Sequence, residues 1–291
     1  MGKTGNLESK EKHVKLLKPK QDIVFQRLFN KDNKEITKSF VEALLEKKVG
    51  EIIINDEKAL LGDTIEDKTG ILDLELDIDN KEKVDVEIQL VNKKNFTERL
   101  LFYFCKLYIK ELERGSQYQR AKKVVIIAIL DYELENTKEI DKMETLWNLR
   151  EKDYPEKILT DKIEIRIISL NKVKKEYVKN NKNKKAQWLM FLDDPNSKEV
   201  FAIMEKNEDI KEAVVKVRKM SRDEAMQRLA FHQQVAMMDA QAREDYIKEE
   251  GIEQGKMEII KRMLAKGKSI EEIADLTDID IETVRAVANE N

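Results

Sequence analysis

Two runs of strictly alternating residues limit the fold of this chain more than any other feature. In ILDLELDID, Leu72, Leu74, Leu76 and Ile78 fall on one side and Asp73, Glu75, Asp77 and Asp79 on the other. In the next run Val84, Val86, Ile88 and Leu90 share a side opposite Asp85, Glu87 and Gln89. A period of two belongs to a strand, so both runs read as strands with one apolar and one acidic face. A hairpin that buries both apolar faces together needs an odd-numbered loop, and Asn80 to Glu82 supplies one. That register sets Asp73 opposite Gln89 and Glu75 opposite Glu87.

Like charges directly across a strand pair cost about 0.2–1 kcal/mol each, so an acidic face needs water or a cation beside it. A solvated amphipathic hairpin satisfies the pattern, and so does a site for a hard divalent ion. Magnesium accepts a few carboxylates plus water, and such an ion acidifies a bound water and steadies charge on an attacked phosphate. Periodicity does not choose between the two. Composition narrows the ligands: with one cysteine, Cys105, and two histidines, His13 and His232, far apart, a Cys/His metal site is excluded and any metal sits on carboxylates. The formal charge of −3 leaves nucleic-acid binding to local clusters rather than the net field. The longest apolar run, Val124 to Leu130, is too short to cross a bilayer, and residues 1 to 17 are lysine-rich without an apolar core. A cytoplasmic protein with no membrane association is the expectation.

Along the chain, a mobile basic lead-in over 1–17 precedes helices at Gln21 to Phe29 and Glu35 to Lys47, joined by a polar turn. Strands are expected at Glu51 to Asn55, Ile71 to Ile78, Val84 to Val91, Val124 to Leu130 and Lys162 to Leu170. Between the third and fourth lies a helix, with Thr97 as N-cap and Gly115 as its stop. From about Pro195 only helix formers remain, which sets a boundary between a domain at 18–194 and a helical region at 195–291. There, Gly251 and Gly255 suggest either close helix packing or a break, and Ser269 with Glu272 forms a capping box before two short helices.

The stretch GDTIEDKTGILDLELDIDNKEKVDVEIQL resembles the Asp, then Glu-x-Gln signature of the Rpn family of recombination-promoting nucleases, also described as transposases, within the PD-(D/E)XK superfamily. KQDIVFQRLF is similar to the family's opening helix, ERLLFYFCKLYIKELERGSQYQRAKKVVIIAIL to its following helix and strand, and QWLMFL to its Trp-containing segment. The resemblance implies an α/β fold, a PD-(D/E)XK (restriction-endonuclease-like) core with a mixed central sheet flanked by helices, plus an all-α C-terminal region. It also implies DNA cleavage with Mg2+ or Mn2+, with Asp73 and Glu87 as metal ligands and Asp73, Glu87 and Gln89 as catalytic residues. Gln89 stands where the superfamily's name has a lysine; an amide orients water or a phosphate oxygen but brings no positive charge. Slow or lost activity follows as an expectation, with Lys106 or Lys110 as other sources of charge.

Weaker signals have plainer readings. Asp22, Asp67 and Glu75 are candidate extra carboxylates, better explained by surface or capping roles. Arg99, Tyr103 and Tyr118 fit the family's helix-and-turn pattern but read first as core. The lysines at 172, 174, 175, 179, 182, 184 and 185 could track phosphates, or form a solvated loop. Trp147 and Trp188 read as packing. On the last helix Glu282 and Glu290 outnumber Arg285, so this end is expected to serve homo-oligomer formation or packing rather than read DNA.

Overall fold

The computed structural model describes residues 14–55, 73–92, 95–112 and 117–289. Asp67, His13 and Gly115 lie outside them. Helices α1 (Asp22–Leu28) and α2 (Lys34–Leu45) lead into strand β1 (Ile52–Asn55). The two alternating runs form β2 (Leu74–Ile78) and β3 (Glu82–Gln89). Helix α3 (Phe96–Lys110) crosses to β4 (Lys123–Leu130), and β5 (Glu144–Trp147) and β6 (Ile163–Ser169) follow. The sheet has order β1-β2-β3-β4-β6-β5, antiparallel at both edges and parallel for β3, β4 and β6. It is therefore mixed. The parallel pair β3 and β4 is joined through a helix, as parallel pairing requires.

Strand alternation sorts the side chains into two cores. Leu74, Leu76, Ile78, Val84, Val86, Ile88, Val125, Ile127 and Ile129 face α1, α2 and later helices in one cluster. Val124, Ile126, Ala128 and Leu130 point the other way, against Phe96, Leu100, Tyr103, Phe104 and Leu107 of α3. Strand β4 is apolar on both sides because it is covered on both. In the first core Phe40 stacks on Phe29 at 4.3 Å and meets Trp188 edge-on at 5.5 Å.

The hairpin register differs from the expected one by two residues. Leu74 pairs with Val86, Glu75 with Asp85 and Asp77 with Lys83, so the loop is Asp79 to Lys81. Parity is as expected, but two odd loops were open to this sequence. The one used places Asp79 (φ 50°) and Asn80 (φ 52°) in the left-handed region, which short polar side chains tolerate best after glycine. Asp79 also fixes the start of β1, accepting from the N–H of Gly50 at 3.1 Å and of Glu51 at 2.8 Å. A Cβ at Gly50 would collide with that carboxylate.

Other local expectations also shift. Helix α3 starts at Phe96 after Asn95, so Thr97 lies inside its first turn and is not the N-cap. The lysine tract is no loop: its first part is α4 (Leu170–Lys179), with Leu170 and Val173 buried, followed by α5 (Lys184–Asp193). Most of its lysines already have carboxylate partners, including Lys172 with Glu133, Lys174 with Glu199, Lys175 with Asp141 and Lys185 with Glu144. Lys185 is buried. Trp188 is buried, but Trp147 is 40 % exposed on edge strand β5, where its ring packs into neither core. Within the stretch expected as a mobile lead-in, the N–H of Leu16 donates to Asn196 Oδ1 at 2.8 Å and that of Leu17 to Ser221 Oγ at 2.9 Å.

Helices α6 (Lys198–Met204) and α7 (Glu208–Arg222) bring Val200, Ile203, Ile210, Val214 and Val217 into the first core. One compact unit accordingly runs to Ala230, past Pro195, and a second comprises Phe231–Asn291. Helix α8 (Glu224–Ala265) spans the division. Gly251 and Gly255 lie in it without a break, and a Cβ on either would meet nothing within 4 Å, so neither expected explanation applies within this chain. In the second unit, α9 (Ile270–Thr277) and α10 (Ile281–Asn289) pack Ile273, Val284 and Val287 on Ile260. The Ser269/Glu272 capping box is present. Among the described residues no helix is long and apolar enough to cross a membrane.

Candidate active site

The acidic side of the hairpin lies under α3, not in solvent. Glu75 is 7 %, Asp85 0 % and Glu87 2 % exposed, which removes the solvated-face reading. Burial makes each charge expensive unless it is paired.

The face divides into two halves. Around Lys83 the charges are matched: its Nζ lies 3.0 Å from Glu75, 3.6 Å from Asp77 and 3.1 Å from Glu111. Lys122 adds a 2.7 Å contact to Asp77, and Asn55 donates to both Glu75 and Asp77. Burial disfavours the charge on Lys83, but its hydrogen bond and attraction to Glu75 outweigh that and raise its pKa. For Asp77 burial is likewise outweighed, by Lys122 and Asn55, and its pKa falls. Glu75, one of the candidate extra carboxylates, belongs to this neutralised half.

The other half carries Asp73, Asp85 and Glu87. The ladder ends at Leu74, and Asp73 reaches across with its side chain, Oδ2 accepting from the N–H of Ile88 at 2.8 Å. This anchors Asp73 on the flank of β3, beside Glu87. Both oxygens of Asp85 and Oε1 of Glu87 are buried without a hydrogen-bond partner. Burial, then repulsion from Asp73, pushes the Glu87 carboxyl up to about 8, with Arg99 opposing. Burial, then Glu87, Asp73 and Glu75, raises Asp85 well above the carboxylate range. Gln89 follows Glu87 by one strand period at the half-buried end of β3, where its carbonyl accepts from the N–H of Asp131 at 3.0 Å.

Asp85 was legible as a member of the acidic face but not as its most buried carboxylate, because depth depends on α3. Arg99 and Tyr103 on α3 are the other neighbours that pattern reading set aside. Arg99 lies 5.7 Å from the Phe96 ring centroid and 5.8 Å from that of Tyr103. Burial, then Glu87, raises the Tyr103 hydroxyl, and burial pushes Tyr132 up to about 12 against the pull of Arg99. Tyr118 is 78 % exposed in a turn, outside both cores. Of the lysines considered as charge donors, Lys110 reaches Glu75 at 3.9 Å and Lys106 sits 4.7 Å over the Phe102 ring; neither is paired with Asp73 or Glu87. Asp22 stands in the first turn of α1, a helix whose buried residues join the opposite core.

The donors suit a hard divalent cation. Asp73 and Glu87 offer carboxylate oxygens, and the orphaned Glu87 Oε1 is an acceptor that protein groups leave unfilled. Among the described residues no three His, Cys, Asp or Glu groups are gathered into a complete ligand set. A pair of carboxylates completed by water is the arrangement magnesium tolerates best. Away from this site, an open cleft of about 880 Å³ is lined by Lys38, Glu42, Lys48 and Lys185 among others. Its size does not make it the better candidate, because these lysines are committed to Gly50, Glu42 and Glu46.

A mixed sheet with paired carboxylates sunk beneath a crossover helix defines an α/β protein with a candidate cation site. The family described as PD-(D/E)XK nuclease family transposase matches residues 19–246, and the chain belongs to it. Neither a curated protein nor a solved structure matches the chain. Membership gives a nuclease- or transposase-like function, in a superfamily of hydrolases that act on nucleic acids and generally use divalent metal ions.

Proposed function

We propose that this protein is a metal-dependent DNA endonuclease, with Asp73 and Glu87 holding Mg2+ or Mn2+ and Gln89 serving the attacking water or the scissile phosphate. The observation that carries the reading is the buried, unpartnered Oε1 of Glu87 next to Asp73. The bound ion would supply charge neutralisation and an acidified water. The chain's own residues do the rest. The Ile88 N–H orients Asp73, α3 excludes solvent from Glu87, and the Gln89 amide donates or accepts a hydrogen bond at the strand end. DNA with little sequence preference, processed in recombination, mobile elements or defence, is the proposed substrate.

A second reading is favoured by Gln89 itself, which brings no charge where the superfamily's name has lysine. On that reading the fold binds DNA, or assembles with other copies, without cutting. Incubating a fluorescent duplex with the protein and Mg2+, with and without EDTA, separates them. The first predicts fragments that EDTA prevents; the second predicts a retarded but intact duplex. Self-association through the Phe231–Asn291 unit is part of the proposal under both.

A further inference from the structure

Most cations on the acidic side of the sheet are committed. Lys83 serves Glu75, Asp77 and Glu111, Lys122 holds Asp77, Lys110 approaches Glu75, and Lys106 lies over Phe102. Among the described residues there, Lys106 and Arg99 have no carboxylate partner, and of the two Arg99 is the one whose charge acts on Glu87. No carboxylate lies within ion-pairing distance of Arg99 among the described residues, and its buried Nε has no hydrogen-bond acceptor. Aromatic faces hold it instead, with Phe96 and Tyr103 at 5.7 and 5.8 Å. The Tyr132 hydroxyl, within its electrostatic reach, is also buried and unpartnered.

A buried Nε without an acceptor is costly, and on this half-buried side chain the planar guanidinium fork matches phosphate oxygens well. Arg99 also acts on Glu87 through space, which puts its charge at the Glu87 end of the face rather than around Lys83. We propose that Arg99 is a catalytic residue that contacts a phosphate oxygen of the nucleic acid and brings the positive charge that Gln89 lacks. This rests on the nuclease reading of the same site. A fixed donor of this kind is worth roughly 10²- to 10³-fold in rate.

The test uses the full-length protein, its Arg99→Gln and Arg99→Met variants, and Lys106→Ala as control. Melting temperature is read with Mg2+ alone and with Mg2+ plus inorganic phosphate, and duplex cleavage is read in parallel. Arg99→Met, apolar and close in volume, keeps the test open if glutamine destabilises the fold. Phosphate is expected to raise the melting temperature of the wild type and of Lys106→Ala but of neither Arg99 variant, and cleavage by those variants to fall roughly 10²- to 10³-fold. An unchanged phosphate effect in the Arg99 variants, no phosphate effect in the wild type, or equal cleavage rates would overturn the proposal. A phosphate effect that needs Arg99 in a protein that cuts nothing would uphold an anion site at Arg99 while removing the nuclease reading.

Discussion

Glu75 and Asp85 face each other across the β2–β3 ladder, yet Glu75 is bound to Lys83 at 3.0 Å while neither oxygen of Asp85 has a hydrogen-bond partner. One residue pair therefore marks the line between a stabilising charge network and an electrostatically strained pocket. Strain of this kind concentrates where a fold serves function rather than stability.

Asp85→Asn is expected to stabilise the metal-free protein by roughly 1–2 kcal/mol at pH 8, because it removes a carboxyl that ionises freely in the unfolded chain but is held back in the fold by burial and by Glu87, Asp73 and Glu75. Urea denaturation in EDTA measures this. A loss of similar size would show that Asp85 has a stabilising partner.

Metal-free stability is expected to depend on pH in a direction opposite to that of an ordinary salt-bridged carboxylate. Glu87 titrates near 8 in the folded chain against 4.5 as reference, so between these values the folded state holds the extra proton. The stability that Glu87 contributes then falls as pH rises from about 4.5 to about 8, by a few kcal/mol, and this contribution levels off above. Asp85 shifts in the same direction. Saturating Mg2+ flattens the fall, since ligand carboxylates bind it deprotonated. Thermal melts across this range, with and without Mg2+, test both statements; a metal-free curve that rises toward pH 8 would contradict them.

The sequence carried the sheet's inner strands because alternation and apolar runs are local properties. It showed which hairpin residues share a face, but not the register, since Asp79 to Lys81 and Asn80 to Glu82 are both odd loops. Strand β5 was missed because ETLW is short and lies at an edge, where half its residues are exposed. Helix α4 was obscured by its lysines, although Leu170, Val173 and Tyr177 fall on one helical side. The candidate residues Asp73, Glu87 and Gln89 came from the resemblance to the nuclease family. The burial of Asp85 and the placement of Arg99 were not legible, because both depend on α3 packing over the sheet.

The aromatic cluster should dominate the stability of the larger core. Phe40→Ala removes contacts to Phe25, Phe29 and Trp188 and is expected to cost about 3–5 kcal/mol by chemical denaturation. A cost below about 1 kcal/mol would mean that the cluster relaxes into the space.

Truncation should separate folding from association. A fragment ending at residue 194 loses Val200, Ile203, Ile210, Val214 and Val217 from the core and is expected to aggregate. A fragment ending at Ala230 keeps them and is expected to fold as a monomer, against a self-associating full-length chain. Analytical ultracentrifugation compares the two folded species. Equal association states would remove the second unit as the assembly element.

The central claim is tested most directly by incubating supercoiled plasmid with Mg2+ and the wild-type protein, beside Asp73→Ala and Glu87→Ala prepared identically. The account predicts nicked or linear product from the wild type alone, with both variants folded and inactive. Cleavage that survives both substitutions would place the chemistry elsewhere, and an intact plasmid with either Mg2+ or Mn2+ would leave a nuclease fold that binds without cutting.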